Sequence, residues 1–343
     1  MPVRPDSERA EGSARARRAT SADVARLAGV SRTTVSDVLN DQRIDRYRPD
    51  TVERVRQAAA ELGYVRSTAG RALVMGRSDF IVVVVPHVTY MRFQDLIEAL
   101  TSHVEEFGFN AVVHLRGPKE EGDPGRSRLM NLVEGLRPAG VIDLGGLSTE
   151  DIAHIERHCC PVIPQEQPAD VNVWIGLLQA EHLHSRGFTD IAYAFLSDAR
   201  GEPYGKARAT AVADYCASEG LAAPSYLRVP IEAEGARQAL EELVGERGRP
   251  VGVACHNDEV AIAVLFAAHR LGLRVPADVA VIGVEGGDVG QVVSPRLSTV
   301  RGDVSAAVQH VRYFLTQTYG GEEPPETLPA LEDIYRILPG ETT

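Results

Sequence analysis

A chain of 343 residues with 44% hydrophobic side chains exceeds the usual size of a single core, so more than one domain is expected. No run approaches the roughly 18 consecutive apolar residues of a membrane span, and Cys159, Cys160, Cys216 and Cys255 form no framework of paired spacings, so a reduced, cytoplasmic protein without membrane attachment is expected. The net charge of −12 is unevenly divided: residues 1–78 hold 15 Arg, no Lys and 10 acidic side chains (+5), leaving 21 basic against 38 acidic (−17) for the rest.

Residues 1–19 are polar, with Arg4, Arg9, Arg15, Arg17 and Arg18 among acidic and small residues. They lack the apolar centre of a signal peptide and are expected to form a disordered basic tail, or alternatively an arm on DNA. Residues 20–63 then read as a three-helix helix-turn-helix headpiece. Thr20 and Asp23 make a short capping box, and Ala22, Val24, Ala25, Leu27 and Ala28 supply an apolar face. Gly29 provides the turn and Ser31 caps a second helix. In that helix Val35, Val38 and Leu39 are expected to point inward, while Arg32, Thr33, Ser36 and Asp37 face outward as a major-groove reader. A third helix is predicted in PDTVERVRQAAAELGY from Val52, Val55, Ala59 and Leu62, stopping at Gly63.

The stretch Asp23-Val24-Ala25, Ala28-Gly29-Val30-Ser31, Thr34-Val35-Ser36, Val38-Leu39-Asn40 resembles the LacI/GalR family of bacterial transcription regulators. The resemblance implies DNA contacts from Thr20, Ser31, Arg32, Thr33, Thr34, Ser36, Asp37 and Asn40. Many members of the family carry arginine where Asp37 stands. Aspartate either accepts from a cytosine amino group, which implies an altered operator half-site, or faces solvent or caps Arg32 or Arg43.

Residues 64–78 resemble the family's hinge through Tyr64, Arg71, Leu73, Gly76 and Ser78. The resemblance implies that Leu73, paired with its copy in a second subunit, wedges into the minor groove at the operator centre. The chain departs from the pattern at Arg66-Ser67 and Gly70, and a linker without a wedge is the alternative.

From residue 79 the pattern alternates between strands and helices. FIVVVVP (80–86) is a run suited to burial on both faces of a parallel sheet. A helix is marked by Phe93, Leu96, Ile97, Leu100, Val104 and Phe107, and further strands are predicted in NAVVHLR, GVIDLG, PVIPQ, DIAYAFL, YLRV, VGVACH and VAVIGV. Helices over 150–158 and 207–219 complete an α/β protein of parallel sheets. The resemblance makes 79–343 a two-lobed, periplasmic-binding-protein-like effector and dimerisation domain. Lobe 1 is expected at about 79–165 and 300–322, and lobe 2 at about 166–299 and 323–340.

Within it, the resemblance implies an effector site of Trp174, Arg208, Asn257, Asp258 and Glu285, placed where strands end. Three of them have a plainer alternative. Asp258 caps a helix, Arg208 is a solvated helix residue, and Trp174 belongs to a core or a lobe hinge. Glu285 stands where the family often has aspartate, and the VNVWIGLLQ stretch offers Asn172 and Trp174 where the family has an aspartate. The effector is therefore a sugar or another metabolite of open identity.

Other motifs fail on spacing. GEPYGKA (201–207) is one residue short of a phosphate loop and GVEGGDVG (283–290) does not keep dinucleotide spacing. His154 and His158 share a helix face beside Cys159-Cys160 but lack a clear fourth zinc ligand. No nucleophile, base and oxyanion set is evident, so neither an enzyme nor a metal or cofactor is expected. The C-terminal LEDIYRILPGETT has no leucine heptads to suggest a tetramer. The expected protein is a homodimeric repressor on a pseudo-palindromic double-stranded DNA operator, controlled by a small molecule. A ligand-independent regulator with a degenerate cleft and, remotely, a solute-binding protein are the alternatives.

Overall fold

A computed structural model describes residues 19–39, 44–64, 77–86, 93–116, 124–144, 147–163, 170–197, 204–320 and 329–343. The chain divides into two compact units, Met1–Met75 and Gly76–Thr343.

The first unit is a three-helix bundle of α1 (Ser21–Ala28), α2 (Arg32–Leu39) and α3 (Pro49–Glu61), with one 3-10 turn at Ile44–Arg46. Thr20 caps α1 in a full capping box, donating its N–H to Asp23 Oδ2 at 3.0 Å while Asp23 N–H donates to Thr20 Oγ1 at 3.3 Å. Gly29 takes the left-handed conformation that ends the helix, with φ +67°. Val24, Ala25, Ala28, Val35, Val38, Val52, Val55, Ala58 and Ala59 form the core. Two sequence expectations need correction: Ala22 is exposed, and Leu27 and Leu62 are 47% and 36% exposed. Small residues at 25, 28, 58 and 59 draw α1 and α3 close, which leaves the leucines at the rim.

The second unit holds two sheets. The first is parallel in the order β2-β1-β3-β4, built from β1 (Phe80–Pro86), β2 (Asn110–Arg116), β3 (Gly140–Asp143) and β4 (Val162–Ile163). Ile81, Val83 and Val85 of β1 pack under α4 (Phe93–Glu106) and α12 (Val304–Tyr319). Val82 and Val84 face the opposite side, under α5 (Pro124–Leu136) and α6 (Thr149–His158). Successive strand residues point to opposite faces, so a strand covered on both sides is apolar without a break.

The second sheet has six strands in the order β10-β9-β8-β7-β5-β6. Its strands are β5 (Ile191–Leu196), β6 (Ser225–Val229), β7 (Val251–Cys255), β8 (Val279–Val284), β9 (Ser298–Gly302) and β10 (Tyr335–Leu338). One face packs α7 (Asp170–Ser185) and α8 (Gly205–Ser218) through Ile175, Leu183, Val212 and Tyr193. The other packs α9 (Ala233–Arg247) and α10 (Asp258–Arg270) through Leu240, Val264, Val253 and Val281. Short helices α11 (Asp288–Val292) and α13 (Leu331–Ile334) complete the unit.

The sheet is not wholly parallel as expected, because β10 runs antiparallel to β9, with Tyr335 opposite Gly302 and Leu338 opposite Thr299. Residues 300–302 belong to β9 and so to the second sheet, which shifts the expected start of the returning lobe-1 segment past Gly302. The chain passes between the lobes three times: after β4, after β9 and between α12 and α13. Parallel topology brings the carboxyl ends of β5, β7 and β8 to one edge of the sheet.

Candidate functional site

On the first unit, α2 exposes Arg32, Thr33 and Ser36 while burying Val35 and Val38. Ser31 caps the helix, its Oγ accepting from Thr34 N–H at 3.0 Å and lying 2.9 Å from Thr34 Oγ1. Those two hydroxyls are therefore engaged at the helix start, whose open N–H groups suit a phosphate. Asp37 is half-buried and, among the described residues, its bond is to Tyr47 rather than Arg32: Tyr47 Oη donates to its Oδ2 at 2.7 Å. Tyr64 is half-buried against the bundle core, with its N–H on Ala59 O at 2.9 Å. Asn40, Arg43, Arg71 and Leu73 lie outside the described residues.

On the second unit, a polar cluster occupies the carboxyl ends of β7 and β8. Arg208 is only 6% exposed, which corrects the alternative of a solvated helix arginine. Its Nε donates to Asn172 Oδ1 at 2.9 Å and its Nη1 to the His256 carbonyl at 2.6 Å. The guanidinium carbon also stands 5.7 Å from the centroid of the Tyr204 ring. Tyr204 Oη in turn donates to the Leu144 carbonyl at the end of β3, 2.6 Å away, and so ties the two lobes. Neither Tyr204 nor His256 was singled out from the sequence. The tyrosine's partner is 60 positions distant, and arginine's is a main-chain oxygen that any residue type would supply.

The cap expected of Asp258 is made by Asn257 instead. Asn257 is the N-cap of α10, its Oδ1 accepting from Val260 N–H at 2.9 Å, and it is fully buried. Its Nδ2 is buried without a hydrogen-bond partner among the described residues. Asp258 begins the helix and spends its carboxylate on Gly287 N–H at 2.7 Å and Thr299 Oγ1 at 2.6 Å. Those two bonds hold the loop after β8 against β9. Glu285 opens that loop at φ 111°, a left-handed conformation that costs a side-chain-bearing residue about 1–3 kcal/mol, the kind of strain found at ligand sites. Its N–H donates to Val300 O at 2.7 Å.

Trp174 is half-buried on α7, and its Nε1 is buried without a partner among the described residues. It follows Asn172 by two residues, about 200° around the helix, so it does not share the face that brings Asn172 to Arg208. Gln179, two turns beyond Asn172, reaches the strand ends directly: its Nε2 donates to Cys255 O at 2.8 Å. The His256 imidazole is pushed down to about 3, first by burial and then by the Arg208 charge, so it is neutral at ordinary pH. Burial raises the Tyr335 phenol, and Arg208 opposes that shift.

Elsewhere, His154 and His158 lie with ring centroids 4.9 Å apart, and His154 Nε2 is 3.9 Å from Glu134 Oε1. Among the described residues, no group of three potential metal-ligating side chains forms. No described helix is long and apolar enough to cross a membrane.

Against known proteins, residues 20–67 match the family profile described as bacterial regulatory proteins, lacI family, and residues 180–343 match the periplasmic binding protein-like domain. The HTH-type transcriptional repressor PurR of Vibrio campbellii is 30% identical over 297 residues, covering 82% of this chain and 86% of that protein. The HTH-type transcriptional regulator GntR of Pseudomonas aeruginosa is 28% identical over 345 residues, covering 95% and 96%. Among solved structures, the Lac repressor dimer bound to operator and the anti-inducer ONPF is similar with a TM-score of 0.74 at 22% identity, over 94% of this chain and 98% of that one. The CelR–cellobiose complex gives 0.60 at 23% identity, over 95% and 100%.

Proposed function

The chain belongs to the lacI family of bacterial regulatory proteins, and from that premise we propose how its two units divide the work of a transcription regulator. The headpiece reads DNA through α2, whose exposed Arg32, Thr33 and Ser36 reach base edges in the major groove. Thr20, Ser31 and Thr34 sit at helix starts and approach phosphates, which fix register without reading sequence. Two copies on a pseudo-palindromic operator, with Leu73 at its centre, complete the assembly of a cytoplasmic repressor.

The second unit takes a small metabolite between its lobes. Arg208, the free amide of Asn257, Glu285 and Trp174 are its contacts, and the ligand shifts operator affinity by its differential affinity for two lobe arrangements. The observation that carries this reading is the polar cluster at the strand ends of a two-lobed sheet protein, tied to the other lobe by Tyr204. One observation favours a second reading, a regulator without small-molecule control. Arg208 and Asp258 already spend hydrogen bonds on neighbouring groups, and Asn257 caps a helix.

The experiment is a selection of double-stranded fragments from a genomic pool by the purified protein, followed by anisotropy titration of the recovered site with a metabolite panel. Recovery of palindromic sites with affinity altered by one metabolite class is expected. Sites whose affinity no metabolite changes support the second reading, and capture without any enriched sequence overturns both.

A further inference from the structure

The headpiece carries an acidic residue in the helix that meets a polyanion, and the structure gives that residue a specific partner. Asp37 lies one turn beyond Thr33 and beside Ser36 on α2, both exposed, with Val35 and Val38 buried behind. Its Oδ2 accepts from Tyr47 Oη at 2.7 Å, ten positions further along, in the connection from α2 to α3. Among the described residues no arginine or lysine neutralises it, so an electrostatic account of a surface ion pair does not apply. Tyr47 is itself fixed: its N–H donates to Ile44 O at 2.8 Å, closing the 3-10 turn, and its ring packs on the headpiece core. One carboxylate oxygen is therefore anchored to the body of the headpiece. The other, Oδ1, accepts from no described residue, and the side chain is only half-buried, so it keeps acceptor capacity. A carboxylate in the major groove has one good base partner, the exocyclic amino group of cytosine.

We propose that Tyr47 is a positioning residue for base recognition. By holding Oδ2 it orients the Asp37 carboxylate so that Oδ1 accepts from a cytosine amino group in each operator half-site. This rests on the headpiece being a DNA reader. Tyr47 supplies by hydrogen bonding the orientation that a short, freely rotating carboxylate lacks, and it keeps the charge turned from the phosphates.

The test starts from the operator that the full-length wild type enriches from a random duplex pool. Every half-site pair is then changed to each alternative, and affinities are measured for the wild type, Tyr47→Phe, Asp37→Ala and Asp37→Asn. The wild type is expected to prefer cytosine at one position by about tenfold, the lower part of the range for a base contact. Asp37→Ala removes that preference, and Tyr47→Phe weakens it at least severalfold while leaving other positions unchanged. Asp37→Asn keeps an acceptor for Tyr47 but presents an amide, so its preference moves from cytosine toward adenine. A brace with a merely structural role lowers headpiece melting without changing base preference at one position. Retention of every wild-type preference by Tyr47→Phe overturns the positioning role, and an unchanged preference in Asp37→Ala overturns the contact itself. A wild type that enriches no sequence removes the DNA-reader reading, and Tyr47's role with it.

Discussion

Adding one methyl group at Gly283, in β8, should unseat Asp258. The space an alanine Cβ would fill is already taken by Asp258 Oδ1, with Leu297 Cδ2 at 3.2 Å and Ala261 Cβ at 3.3 Å closing the other sides. The carboxylate cannot move without giving up its bonds to Thr299 Oγ1 and Gly287 N–H, both short and buried. Hydrogen bonds to a charged group contribute about 1.5–3 kcal/mol each, so losing both costs on the order of 3–6 kcal/mol. That is a large part of the roughly 5–15 kcal/mol that holds a domain together. Urea unfolding of the effector unit, followed by far-UV circular dichroism, measures the loss. The cycle with Asp258→Ala isolates its cause. Each single substitution breaks the same two bonds, whereas the double substitution has nothing left to clash, so its cost should fall well below the sum. Additive costs, or a Gly283→Ala variant within about 0.5 kcal/mol of wild type, would refute the close approach and the tie it creates.

Three further outcomes are expected. Thr20→Ala removes the capping box of α1 and should destabilise the headpiece by about 1 kcal/mol, read as a lower melting midpoint of that unit. Asp151→Asn removes the carboxylate charge whose Oδ2 lies 2.8 Å from the buried Arg116 Nη1, and should cost about 1–3 kcal/mol in equilibrium unfolding. His256 titrates at about 3 when folded against an unperturbed value near 6.5, so the unfolded chain binds the extra proton between those values. Its contribution is complete above about pH 6.5 and declines as pH falls toward 3. The urea midpoint should drop over that window, and His256→Gln should flatten the drop; an identical profile would show that the imidazole is not buried.

The headpiece was legible because its signals are local. A capping box, a left-handed glycine and the 3.6-residue spacing of Val24, Ala28, Val35 and Val38 all lie within twenty residues. What spacing did not reveal is which apolar side chain stays outside: Leu27 is as apolar as its neighbours and is displaced by how closely α1 meets α3. Helix α7 escaped notice for a different reason. Val171, Val173, Trp174, Ile175, Leu177, Leu178 and Leu183 ring most of its circumference, so no single face stands out. The roles of Asn257 and Asp258 were interchangeable in sequence because both residue types cap helices about equally well. Only the distance from Asp258 to Gly287 and Thr299 tells them apart. The Arg208–Tyr204–Leu144 chain joins three separated segments through a main-chain oxygen, which leaves no mark on the sequence pattern. Strand β10 is four residues long, too short for its alternation to signal direction.

The three passages of the chain between the lobes have a mechanical meaning. Two plates joined by one tether can swing, slide and twist; each further tether between them removes some of those freedoms. Work done in the cleft is then spread over fewer motions than a single joint would allow. A weak molecule gripping both plates has leverage that its own contact energy would not give it against a looser joint.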